Sequence, residues 1–173
     1  MKAAVGLSLS LVVMLGACSK SDDPRVELTE VGFALHLPAA MQHALDAAAP
    51  GFRTIRTSAY RSDVSQAAAA SAGGMPALIA TVGDFNHDGK QDVVMEGTTP
   101  GDSALRVIAI LSGATPQAVP VARFSLYDAN AVGIYLSPAS AGDSAAFEIV
   151  DYPDSSLVYR YSNGAFAGTR IGN

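Results

Sequence analysis

The chain has 173 residues, with 11 basic and 16 acidic side chains, three histidines and one cysteine. That length suits one domain with a real core and leaves little room for two. A net charge of −5 without any basic run excludes a nucleic-acid footprint, and a lone cysteine excludes an internal disulfide.

Residues 1–17, MKAAVGLSLSLVVMLGA, join a cationic start at Lys2 to a short apolar stretch and then to small residues before Cys18. The apolar part is too short for a comfortable membrane span, and the whole reads as a secretory leader. Ending in Leu15-Gly16-Ala17-Cys18, it resembles the lipobox of bacterial lipoproteins, in which the cysteine carries palmitate-type chains and begins the mature protein. The resemblance implies a membrane partner reached through a lipid anchor on Cys18, since two or more acyl chains anchor stably where one does not. Acylation also gives the only cysteine a use, because a free exported thiol is a liability. Ser19 stands where an aspartate would mark inner-membrane retention. The expected address is therefore the bacterial cell envelope, as an outer-membrane lipoprotein facing the periplasm. Residues 18–25 then form the lipidated cysteine and a polar tether, and 26–173 a single domain. The alternative is an ordinary leader cleaved elsewhere. Without residues 1–17 the chain keeps 10 basic and 16 acidic residues, a net charge of about −6.

Segment 26–37, VELTEVGFALHL, alternates loosely and suits a first strand or an extended lead-in. PAAMQHALDAAAPG predicts a helix, with Pro38 in the first turn, Met41, Leu45 and Ala48 on one face, and Pro50-Gly51 as the stop. FRTIRTSAY is a weak strand. SDVSQAAAASAGG predicts a second helix opening at Ser62 and ending on two glycines. From Pro76 onward eight runs have strand length: ALIATVG, DVVMEG, ALRVIAIL, VPVARFSL, VGIYLS, AFEIVDY, SLVYRYS and AFAGTRI. They are too closely spaced for crossover helices, so neighbours pair antiparallel. Asn163-Gly164 is the clearest hairpin signal, since both central residues of that turn need positive φ. The expected architecture is α+β: one or two N-terminal helices followed by a mostly antiparallel sheet of about seven or eight strands.

Within this pattern GDFNHDGKQDVVMEG, at 83–97, stands apart. Asp84, Asn86 and Asp88 occupy positions 1, 3 and 5 of a loop, Gly89 position 6 and Asp92 position 9. A tight loop turns alternate oxygen-bearing side chains toward one centre, the carbonyl of Lys90 joins them, and hard oxygen ligands are what calcium takes. Crowded carboxylates repel without a cation between them. Magnesium, which keeps several waters in a strict octahedron, suits the pattern less. An Asx-rich turn uses the same residue types and is the plain alternative.

VGDFNHDGKQDVV resembles the calcium loop of FG-GAP and VCBS-type repeats, whose pattern is Asp-x-Asp/Asn-x-Asp-Gly-x-x-Asp between two strands. The resemblance implies Ca2+ held by the side chains of Asp84, Asn86, Asp88 and Asp92 and the backbone of Lys90, with His87 exposed where the repeats often have glycine. It covers about fifteen residues. Only one good loop is present: DANAVG at 128–133 has Val132 where the third acid should stand, and neither a Phe-Gly nor a Gly-Ala-Pro segment occurs. A complete propeller is therefore not expected. AAFEIVDYPDSSLVYRYSNGAF resembles the C-terminal hairpin of small exported bacterial proteins with one such loop.

Catalytic groups do not assemble. Gly101-Asp102-Ser103 and Gly142-Asp143-Ser144 look like the nucleophile block of GDS-type esterases, and Asp84 to His87 mimics their Asp-x-x-His, but the order is reversed. His36 sits in an apolar segment and His43 beside a helix face, each read as a surface or satisfied core residue and not a base. No cluster has zinc spacing, and Glu96 reads as an exposed strand-end acid or a group behind the metal ligands. Tyr152, Tyr159 and Tyr161 form either a partner-binding stripe or aromatic cross-strand packing. The expectation is a non-enzymatic, calcium-stabilised lipoprotein domain that binds a protein or peptidoglycan-related partner. An inhibitor or immunity protein against a cell-wall hydrolase is one form of it. An envelope hydrolase and an assembly subunit of an envelope complex are the alternatives.

Overall fold

The computed structural model describes residues 23–29, 32–71, 79–126, 128, 131–139, 143 and 145–170. The expected leader, the lipidation site Cys18 and most of the tether lie outside these residues. Among the described residues no helix is long and apolar enough to cross a membrane.

The fold is α+β. An antiparallel hairpin, β1 (Arg25–Thr29) and β2 (Gly32–His36), precedes helix α1 (Ala39–Ala48). Pro38 sits just outside α1 with ψ 148°, so the helix begins where the missing proline N–H costs nothing. Met41 and Leu45, four residues apart, form its buried stripe. The weak strand predicted after α1 shrinks to β3 (Arg53–Thr54), followed by a 3-10 turn at Thr57–Ala59 and helix α2 (Ser62–Ser71). Val64 and Ala68 are the buried face of α2.

The eight strands expected from the sequence all form: β4 (Ala80–Gly83), β5 (Asp92–Thr98), β6 (Ala104–Leu111), β7 (Gln117–Ser125), β8 (Ile134–Pro138), β9 (Ala146–Asp151), β10 (Ser155–Ser162) and β11 (Ala165–Arg170). They do not form one sheet. The order β3-β5-β6-β7, with β4 also on β5, makes a five-stranded sheet, and β11-β10-β9-β8 makes a four-stranded one. Asn163 and Gly164 take φ values of 51° and 85°, as their hairpin requires.

The division follows from where the apolar side chains go. Along β5, Val93 and Met95 enter one core with Met41, Leu45, Val64 and Ala68, while Val94 enters a second core. That second core joins Val107, Ala109 and Leu111 of β6 to Leu136, Phe147, Ile149 and Tyr159 of the other sheet. The central strands are thus buried on both faces, which is why they read as continuous apolar runs.

At Gly97 this packing leaves no room for a side chain. A Cβ there would stand 2.2 Å from the Arg53 carbonyl oxygen and 2.6 Å from the Phe52 ring. Gly97→Ala is expected to separate β3 from β5 and to cost about 1–3 kcal/mol, read by chemical denaturation.

Candidate metal loop

Loop 84–91 joins β4 to β5, and Gly83 pairs with Asp92 across its neck. Asp84 spans the loop: its Oδ1 accepts from the Asp88 N–H and its Oδ2 from the Gly89 N–H, both at 3.0 Å. Asn86 Oδ1 accepts from the same Asp88 N–H at 3.0 Å, so the first two expected ligand oxygens converge on one donor. Asp88 Oδ1 takes the Lys90 N–H at 2.9 Å. Gly89 has φ 80°, the positive value a sharp turn needs, and His87 has φ 61°, a conformation that glycine adopts more readily than a residue with a side chain. His87 is exposed, as expected.

Asp92 is entirely buried at the head of β5. Its Oδ2 accepts from the N–H groups of Phe85 at 2.9 Å and Asn86 at 3.3 Å. Its Oδ1 accepts from the Ser112 N–H at 2.7 Å and the Ser112 hydroxyl at 2.8 Å. Burial pushes this carboxyl upward, and the four donors oppose the shift by favouring the ion. Four bonds fill the lone-pair sites of a carboxylate, so Asp92 can reach a cation only where a donor withdraws. The Asn86 contact is the longest of the four.

Among the described residues no three His, Cys, Asp or Glu side chains lie close enough together to hold a metal ion. The expected oxygens are instead bound to backbone N–H groups of their own loop. The donor set is nonetheless right in kind for a hard cation: two carboxylates, an amide oxygen and the carbonyl of Lys90, with Asp92 behind them. Backbone N–H dipoles occupy these oxygens with partial positive charge, where a divalent ion would offer a full one.

The aromatic residue inside the loop has a separate role. Phe85 is buried and meets Phe147 edge-on at 5.3 Å and Phe166 at 6.3 Å, which fastens the loop to the second core. The tyrosines expected as a contact stripe belong to the same packing. Tyr159 is buried, stacked on Phe147 at 5.6 Å, and Tyr161 is half-buried against Phe166 at 5.1 Å. Both are direct cross-strand pairs. Tyr152 is half-buried against the first core. Tyr159 is thus turned into the molecule, while Tyr152 and Tyr161 keep part of their surface exposed.

Glu96 also departs from expectation. It is fully buried, accepts a hydrogen bond from the Tyr60 hydroxyl at one oxygen, and has no partner for Oε2 among the described residues. Burial drives its carboxyl well above the usual range, and burial then Glu96 do the same to Tyr60. Its only sequence signal was position, inside a run whose two faces are both apolar.

Of the two esterase-like tripeptides, Gly101-Asp102-Ser103 lies in the turn between β5 and β6, where the Asp102 N–H donates to the Thr99 carbonyl at 3.1 Å. Asp102 accepts from Arg106 at 2.8 and 2.5 Å and from Arg123 at 2.9 Å, which holds its carboxyl below the usual range. Asp143 pairs with Arg160 at 3.0 Å, and Gly142 and Ser144 lie outside the described residues. His36 pairs with Glu27 at 2.8 Å, and His43 is exposed on α1.

No family model, curated protein or solved structure matches this chain.

Two outcomes test this geometry. Asp92→Asn turns amide hydrogens toward N–H donors and is expected to lose about 2–4 kcal/mol in denaturant unfolding. Glu96 has a raised carboxyl in the folded protein, so the stability it contributes is whole below the ordinary glutamate range. That stability falls as pH rises toward the folded value. Glu96→Gln is expected to remove this slope, about 1.4 kcal/mol per pH unit at most, so that the variant gains on the wild type as pH rises.

Proposed function

We propose that the protein is a non-enzymatic lipoprotein domain of the bacterial envelope, tethered through Cys18, whose loop 84–92 is stabilised by calcium and which binds a protein or cell-wall partner. The observation that supports the calcium reading best is the convergence of Asp84 and Asn86 oxygens on the Asp88 N–H, with Gly89 and His87 both at positive φ. In this reading Asp84, Asn86, Asp88 and the Lys90 carbonyl hold the ion. Asp92, expected from the sequence as a further side-chain ligand, closes the loop instead, since four donors already meet its two oxygens.

Calcium would supply a charge that draws the loop oxygens together. Exported modules of this kind bind at about 10⁻⁴ to 10⁻³ M, so where calcium is millimolar the ion is a staple and not a signal. The loop carries Phe85 into the second core, so ordering it stabilises the contact between sheets. An inhibitor or immunity protein against a cell-wall hydrolase is the sharper form of the binding role. It is motivated by the anchor, the size and the acidic charge.

Thermal unfolding in calcium and in EDTA, beside Asp84→Ala, tests the ion. Calcium is expected to raise the midpoint by several degrees, and the variant to lose that gain; equal midpoints throughout would reduce the loop to an Asx turn. Affinity capture from periplasmic extracts, with calcium present, tests the partner. The hydrolase-inhibitor form fails if no hydrolase is recovered.

A further inference from the structure

At the opposite end of β6 from the metal loop, helix α1 stops short of the sheet it covers. Ser112 follows β6 at the loop end, and Arg106 lies about 20 Å away along the strand. There a cleft of about 420 Å³ opens between the last residues of α1 and the β6–β7 ribbon. Its walls include Ala48, Ala49, Ile108, Pro120, Arg106 and Arg123. A bulge makes the room: Val107 pairs with Ala122 and Ile108 with Pro120, leaving Val121 unpaired.

Its charge runs against that of the molecule. Arg106 and Arg123 are directly paired across β6 and β7, and both point their guanidinium groups at one acid, Asp102. Asp102 engages Nε and Nη2 of Arg106 and Nη2 of Arg123. Among the described residues, Nη1 of Arg106 and Nε and Nη1 of Arg123 make no hydrogen bond. Two cations on one anion leave a positive charge at the mouth of an apolar cleft, in a chain whose net charge is −5. The Asp102 bonds hold the two forks in place before any ligand arrives.

We propose that this cleft binds a small aliphatic carboxylate, its chain on the Ile108 and Pro120 floor and its charge on the free edges of Arg106 and Arg123. The volume is of ligand size, and a guanidinium recognises a carboxylate through charge-assisted, directional hydrogen bonds. The binding site is independent of the calcium reading, since no residue of loop 84–92 lines it.

Octanoate is the probe, titrated into the intact protein with amide chemical shifts as the readout. The expected result is saturable binding with a dissociation constant below about 1 mM, mapping to Ala48, Ala49 and Ile108. Octanol, with the same chain and no charge, is expected to bind at least about tenfold more weakly, as is octanoate to Arg123→Gln. Arg123 is largely exposed, so this change should leave the fold intact. Ala48→Trp, on the exposed end of α1, is expected to fill the cleft and abolish binding without lowering the unfolding midpoint. The proposal is overturned if octanoate does not saturate, if its shifts map elsewhere, if octanol binds as well, or if Arg123→Gln leaves the affinity unchanged.

Discussion

Asp92 is a buried carboxylate whose two oxygens receive donors from opposite sides: the Phe85 and Asn86 amides from the loop before β5, and Ser112 from the turn after β6. Taking a carboxylate out of water is costly unless every lone pair is met, and here all are. β5 touches β3, β4 and β6, so fixing its first residue fixes the register of most of the five-stranded sheet. The amide of Phe85 makes the polar contact while its ring enters the second core. The latch and the hydrophobic anchor therefore belong to a single residue, and loop and sheet packing form together.

Much of this was readable in the residues. Alternation, turn residues and spacing located both helices and all eight strands from Ala80 onward, because each of those signals acts over a few residues. The partition into two sheets was not readable, since an apolar run such as ALRVIAIL says that both faces are covered without saying by what. Loop 84–92 stood out through its spacing, yet the engagement of Asp92 by Ser112, twenty residues on, depends on the β5–β6 pairing. Glu96 was misread because its partner Tyr60 is brought to it by tertiary packing alone. Tyr159 and Tyr161 share a strand face, as the two-residue period requires. Which way that face points was settled by Phe85 and Phe147.

β6 organises the molecule along its length. One end meets Asp92 and the acidic loop, the other carries Arg106 and the wall of the cleft, and Val107, Ala109 and Ile110 between them are fully buried. An acidic end and a cationic end on one rigid strand give the molecule two chemically opposite surfaces without a second domain. The core between them is close-packed, so each end can vary in sequence with little effect on the other.

The same bulge that opens the cleft also shapes the border of the sheet. β7 is the last strand of its sheet, and a passing chain of nine residues or so would find there a template for adding itself. Pro120 offers no donor, Val121 breaks the repeat, and Arg123 adds a charge. Any strand that tried to extend the sheet would lose its hydrogen-bond rhythm halfway along. Along β7, edge-to-edge addition is thus disfavoured by the residues that give the cleft its depth.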